Sequence, residues 1–130
     1  MNLLLDTCAI VWVVSAPEAL SPAARQALTR TDSVIHVSPI SLAEIACLVE
    51  RGRIAVQPHW RTWFQDAVRS NGWQVAAIDL ETVAEAFALP GAFHRDPADR
   101  LIVAAARLGR MAVVTADRRL RSYPHVQTLW

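Results

Sequence analysis

The chain has 130 residues, enough for one domain with a real core. Its composition, 53% hydrophobic and 19% charged, excludes a disordered chain. A formal net charge of +1 excludes global attraction to nucleic acid, so any such binding must use a local patch. All 13 basic residues are Arg, and the absence of Lys removes several enzyme classes.

The amino terminus is apolar, but Asp6 interrupts it and no basic segment precedes it, so it reads poorly as a signal peptide. No apolar run is long enough to cross a bilayer. Cys8 and Cys47 are too few and too far apart for a disulfide framework or a Cys-type zinc site. They read as free thiols in a reducing cytoplasm.

No linker, repeat or low-complexity tract divides the chain, so residues 1–130 are expected to form a single domain. Asn2 to Asp6 reads as a buried strand, and Thr7 to Val14 as a short helix. Ser21-Pro22 starts a helix running to about Thr31, with Ser as N-cap and Pro in the first turn. Ser33 to Val37 is a second strand. Ser41 to Arg51 is a helix closed by Gly52, and Pro58 to Ser70 another closed by Asn71-Gly72. Trp73 to Asp79 is a third strand, and Glu81 to Ala88 a helix. Pro97 to Leu108 is a helix stopped by Gly109. Met111 to Thr115 is a fourth strand, and Val126 to Leu129 a fifth at an edge. Strands alternating with helices predict an α/β fold with a mostly parallel sheet and helices on both faces. Chemistry in such folds collects at the carboxyl ends of the strands.

Four acids fall near such points. Asp6 ends the first strand, and Asp117 follows the fourth. Glu44 and Asp99 lie in first turns of helices. Each has a local explanation. Ser41-x-x-Glu44 is a capping box. Asp96-Pro97 is an N-cap followed by Pro, with Asp99 then favoured by the helix dipole. Asp6 and Asp117 can cap the turns that follow them. Together the acids would repel in one cleft, and a divalent cation would resolve that conflict. All-carboxylate ligation points to Mg²⁺ or Mn²⁺.

At these residues the chain resembles the PIN-domain ribonucleases, in particular VapC-type toxins of toxin–antitoxin pairs. The segments that carry the resemblance are LLLDTCAIVW (3–12), SPISLAEIACLVERGRI (38–54), HRDPADRLIVAAA (94–106) and VVTADRRL (113–120). It covers essentially the whole chain, and DPADRLIVAAA is its most specific part. The resemblance implies a three-layer α/β/α fold with a five-stranded mostly parallel sheet, order 3-2-1-4-5. It implies a Mg²⁺- or Mn²⁺-dependent endoribonuclease, cytoplasmic, with Asp6, Glu44, Asp99 and Asp117 as catalytic and metal-binding residues. Thr7 and Thr115 resemble hydrogen-bonding supports of those acids. Asp96 resembles a cap or outer acid common in the subgroup. The implied partners are an RNA substrate, a cognate antitoxin and a second copy in a homodimer or larger toxin–antitoxin assembly. Cys8 and Ala98 depart from residues common at their positions.

Other residues have open roles. Arg100 could meet a phosphate or pair with a nearby acid. His94 and Arg95 face the expected cleft from a loop. Arg118, Arg119 and Arg121 could form a phosphate track or a solvated turn. His59, Trp60, Trp63 and Phe64 suit a core face or interface better than base stacking. Ile10, Trp12 and Val49 could meet an antitoxin, with burial as the default.

Competing functions fit less well. A haloacid-dehalogenase-type phosphatase needs an Asp where Cys8 stands, and a Lys. A P-loop hydrolase lacks both its glycine loop and its Lys. A receiver-type signalling domain would also need the Lys. A PIN scaffold that binds protein or RNA without catalysis is the remaining alternative.

Overall fold

The computed structural model describes all of residues 1–130. Five strands, β1 (Asn2–Leu5), β2 (Val34–Val37), β3 (Gln74–Val75), β4 (Ala112–Val114) and β5 (Thr128–Leu129), form one sheet in the order β3-β2-β1-β4-β5. Every pairing is parallel. Seven helices cover it: α1 (Thr7–Ser15), α2 (Pro22–Thr29), α3 (Pro39–Glu50), α4 (Trp60–Asn71), α5 (Leu80–Ala86), α6 (Pro97–Gly109) and α7 (Arg118–Arg121). The expected architecture and strand order are those observed. No helix is long and apolar enough to cross a membrane.

The central strand explains the layers. Leu3, Leu4 and Leu5 are fully buried, and successive side chains of a strand point to opposite faces. Leu3 and Leu5 join Ile10, Ile45 and Phe64 on one face. Leu4 joins Ile102, Ala105, Ala106 and Val113 on the other. The aliphatic body of α6 is therefore buried against β1 and β4. Val103, Leu120 and Tyr123 extend that packing beneath α7.

Several boundaries differ from those the sequence predicts. α3 begins at Pro39 with Ser38 as its N-cap, so the Ser41–Glu44 capping box does not form. β3 is only two residues long, and Asp79 caps α5 instead of ending a strand. α4 begins after His59, whose ring nitrogen accepts from the Arg61 N–H. Gly109 does not end α6; Arg110 does, in the left-handed region at φ 53°. A Cβ at Gly109 would lie 2.7 Å from Met111 Cε, the far end of a flexible side chain, so a larger residue there would require that methyl to shift. A single 3₁₀ turn at Pro17–Ala19 was not anticipated.

The aromatic group on α4 has a structural role. Phe64 is buried, and Trp60 and Trp63 pack on the same cluster. Ile10 is fully buried and so is not presented to a partner, whereas Val49 packs on the core but stays partly exposed.

Candidate active site

Because β1 and β4 are neighbours, their carboxyl ends lie side by side. Asp6 and Asp117 leave the sheet there, at the starts of α1 and α7. α6 enters the same edge with Asp99 in its first turn, and α3 brings Glu44 from its second turn. The four acids line one cleft of about 380 Å³, together with Asp96, Trp12 and Arg119.

Capping and cleft roles coexist in three of the acids. Asp6 Oδ1 accepts the Ala9 N–H at 2.8 Å, Asp96 Oδ1 the Ala98 N–H at 2.9 Å, and Asp117 Oδ1 the Arg119 N–H at 2.8 Å. A cap occupies one carboxylate oxygen and leaves the second for the cleft. Glu44 and Asp99 cap nothing. The sequence explanation of Glu44 as a capping residue is therefore overturned. Its Oε1 accepts the Thr7 hydroxyl at 2.5 Å, and the same hydroxyl lies 3.0 Å from Ser41 Oγ.

The charges feel one another. Burial pushes Asp99 up to about 7, and Asp96, Asp117 and Glu44 add their repulsion. Burial also raises Asp6, partly offset by the Thr115 hydroxyl and the Ala9 N–H. Partial burial pushes Asp117 upward, but the backbone N–H and guanidinium of Arg119 outweigh it and hold it low. Thr115 further accepts the Asp117 N–H at 3.0 Å. Both expected supporting threonines thus touch acids of the cleft.

Arg119 is the cation of this cleft. Its Nη2 lies 3.5 Å from Asp117 Oδ2 and 3.6 Å from Asp99 Oδ2. Of the three arginines flagged after Asp117, only this one is placed against acids. His94 Nε2 sits 3.1 Å from Asp99 Oδ2, yet out of line for a hydrogen bond, and is left buried without a partner. Burial holds His94 below the usual imidazole value, with help from the Arg119 charge.

Arg100 faces away from the acids. Its Nε, Nη1 and Nη2 donate to the carbonyls of His94, Ala86 and Phe93 at 3.0, 3.0 and 3.1 Å. Neither a phosphate contact nor an ion pair describes it, because the loop before α6 folds over its guanidinium. Cys8 lines the cleft, but burial and four surrounding carboxylates push its thiol up to about 11. These carboxylates disfavour the thiolate form of Cys8.

The donor set suits a hard divalent cation, being all carboxylate oxygen. No three of the acids close on a common point as metal ligands in this arrangement. Arg119 and Thr7 answer their charge instead.

The PIN domain family matches residues 3–126. The chain belongs to the PIN-domain family. This PIN domain is 40% identical over 134 residues to Ribonuclease VapC22 of Mycobacterium tuberculosis, covering 99% of this chain and 98% of the relative. Its fold is similar to VapBC2 from Rickettsia felis bound to a promoter DNA fragment, with a TM-score of 0.70, 16% identity, and coverage of 98% of this chain and 97% of that one. A toxin–antitoxin complex from Klebsiella pneumoniae gives a TM-score of 0.60 at 20% identity, covering 95% of this chain and 94% of that one. At these identities the two structures speak for the fold alone.

Two features of the cleft escaped the sequence. The Arg119–Asp99 pair joins residues on different helices, and no local spacing announces it. For Trp12 the sequence offers burial or an antitoxin contact, but not a place in the cleft. Its place in the cleft wall depends on how α1 meets the sheet.

Proposed function

We propose that this PIN domain is a divalent-metal-dependent endoribonuclease, acting as the toxin of a toxin–antitoxin pair. The observation that carries the proposal is the convergence of Asp6, Glu44, Asp99 and Asp117 on one cleft at the carboxyl edge of the sheet. Kinship with a VapC ribonuclease over nearly the full length supplies the reaction class and the toxin role. A cognate antitoxin as partner is part of the same proposal; one protein of similar fold is a toxin–antitoxin complex. RNA as substrate, homodimerisation and a cytoplasmic location belong to the same proposal.

Asp6, Asp99 and Asp117 would hold Mg²⁺ or Mn²⁺, with Glu44 bound directly or through water. Such an ion would supply Lewis-acid activation of water and offset charge on a phosphoryl oxygen. The proposed reaction is hydrolysis, in which water adds across one P–O bond of the RNA backbone. The chain's own residues prepare the site. Asp6 and Asp117 are fixed by their caps, so their free oxygens keep one direction. Thr7 orients Glu44. Burial and the neighbouring acids raise Asp99 to about 7 in the metal-free cleft, so holding a cation there would release its proton. Arg119 is the group within the cleft able to meet a phosphate, once the acids that hold it are neutralised.

Mn²⁺ titration by calorimetry tests the metal site without knowledge of the RNA. The wild-type chain is expected to bind, and the Asp6→Asn, Asp99→Asn double variant is not. Equal heats from both proteins would reject these acids as the ligands. Arg119→Ala is expected to weaken RNA binding and make its salt dependence shallower by about one unit of slope, as loss of one phosphate contact does. An unchanged slope would reduce Arg119 to a partner of Asp117.

A further inference from the structure

Five tryptophans occur in the chain. Trp73 is buried in the core, and Trp60, Trp63 and Trp130 pack on the same cluster. Trp12 belongs to none of the three packed clusters, although its neighbours Val11 and Val13 both lie on the core. It is half-buried, backed by Trp130 with ring centroids 5.4 Å apart and planes tilted by 50°. It is also the one aromatic side chain lining the acidic cleft.

Helix geometry explains its place. Cys8 and Trp12 are four residues apart, which puts both on one face of α1, and both line the cleft. Asp6 caps the same helix, so Trp12 stands about 9 Å along the axis from the catalytic edge. The cleft is otherwise hostile to a polyanion. Its acids repel phosphate, and its single cation, Arg119, is held by two of them. A neutral aromatic face attracts a nucleobase without meeting that repulsion.

We propose that Trp12 is a base-stacking platform, on which a nucleobase of single-stranded RNA beside the scissile phosphate rests. This inference rests on the ribonuclease function proposed above. Trp130 backs the indole, which limits its rotamers and keeps it presented to the cleft. Stacking of this kind accepts any base, because every base has a π face. It therefore supplies affinity and register near the acids, and sequence preference must come from elsewhere.

The test uses full-length protein carrying Asp99→Asn to suppress cleavage, and fluorescence anisotropy with short oligoadenylate. Adding Trp12→Ala is expected to weaken binding about fivefold or more, whereas Trp12→Phe retains most of it. The salt slope should not move, since no charge is removed. An abasic ribose-phosphate strand should bind equally to proteins with Trp12 and with Ala at that position. Thermal melts of both variants report their folding separately, and Trp12→Phe carries the test if the Ala variant melts early. Unchanged oligoadenylate affinity in Trp12→Ala, or an equal loss toward the abasic strand, overturns the platform. If the unmodified chain cleaves RNA in Mn²⁺ under that result, only the platform falls. A chain that neither binds nor cleaves RNA overturns the ribonuclease function along with it.

Discussion

Asp99→Asn is expected to abolish cleavage and yet raise the melting temperature of the metal-free protein above pH 7. The carboxyl of Asp99 is raised from 3.8 to about 7, first by burial and then by its acidic neighbours. The folded state thus keeps a proton that the unfolded chain releases. The resulting stabilisation is complete below about pH 4 and is lost as pH rises through about 7. Above that pH the folded protein carries a buried charge among like charges. The cost is on the order of 2–4 kcal/mol for a shift of this size, allowing for water at the cleft rim. Asn has the same shape and no charge, so it escapes this cost. The two proteins should melt together near pH 4 and separate by several degrees near pH 8. Mn²⁺ should reverse the order at pH 8, because only the carboxylate gains a ligand. Melting curves at both pH values, with and without Mn²⁺, check this alongside an RNA cleavage assay. A fully active variant, or a difference in melting that ignores pH, would remove Asp99 from the centre of the site.

The second large effect is expected at Arg100. Its three donors each hold a different carbonyl of α5 or the following loop, and its guanidinium lies 5.7 Å from the Phe87 ring centroid and 5.9 Å from that of Phe93. Three divergent carbonyls match the rigid fork of Arg and no other side chain. Arg100→Ala should cost about 2–4 kcal/mol, since charge-assisted bonds are lost and part-buried carbonyls are left to find water. The segment it ties down carries His94 and Asp96 to the cleft, so activity should fall as well. Arg100→Lys should restore little, because one ammonium cannot span the three positions. Urea denaturation together with cleavage rates checks both effects. A Lys variant equal to wild type in stability and rate would show that charge alone, and not the fork, holds the loop.

The elements legible in the sequence were those with local causes. Ser21-Pro22 and Asp96-Pro97 announce helix starts because a cap and a proline act within one turn, and both helices begin there. The leucines of β1 announce a central strand because burial on both faces needs an unbroken apolar run. The capping box at Ser41 and Glu44 misled for the same local reason. Ser38-Pro39, one turn earlier, is an equally good start, and it forms. The long third strand failed because Asp79 caps α5 and withdraws its residues from the sheet edge.

The α/β class and the acids at element ends are legible in the chain alone, and family resemblance adds the strand order. The first two follow from periodicity and capping, which act over a few residues. What each polar group meets depends on how the elements pack. Placing β4 beside β1 brings Asp117 next to Asp6, and the packing of α6 and α7 sets Arg119 against Asp99. The fold of the α5–α6 loop turns Arg100 from the acids to the backbone. The seating of α1 turns Trp12 out of the core and into the cleft. These contacts join residues far apart in the chain. Their free energies depend on burial and distance, which no local spacing encodes.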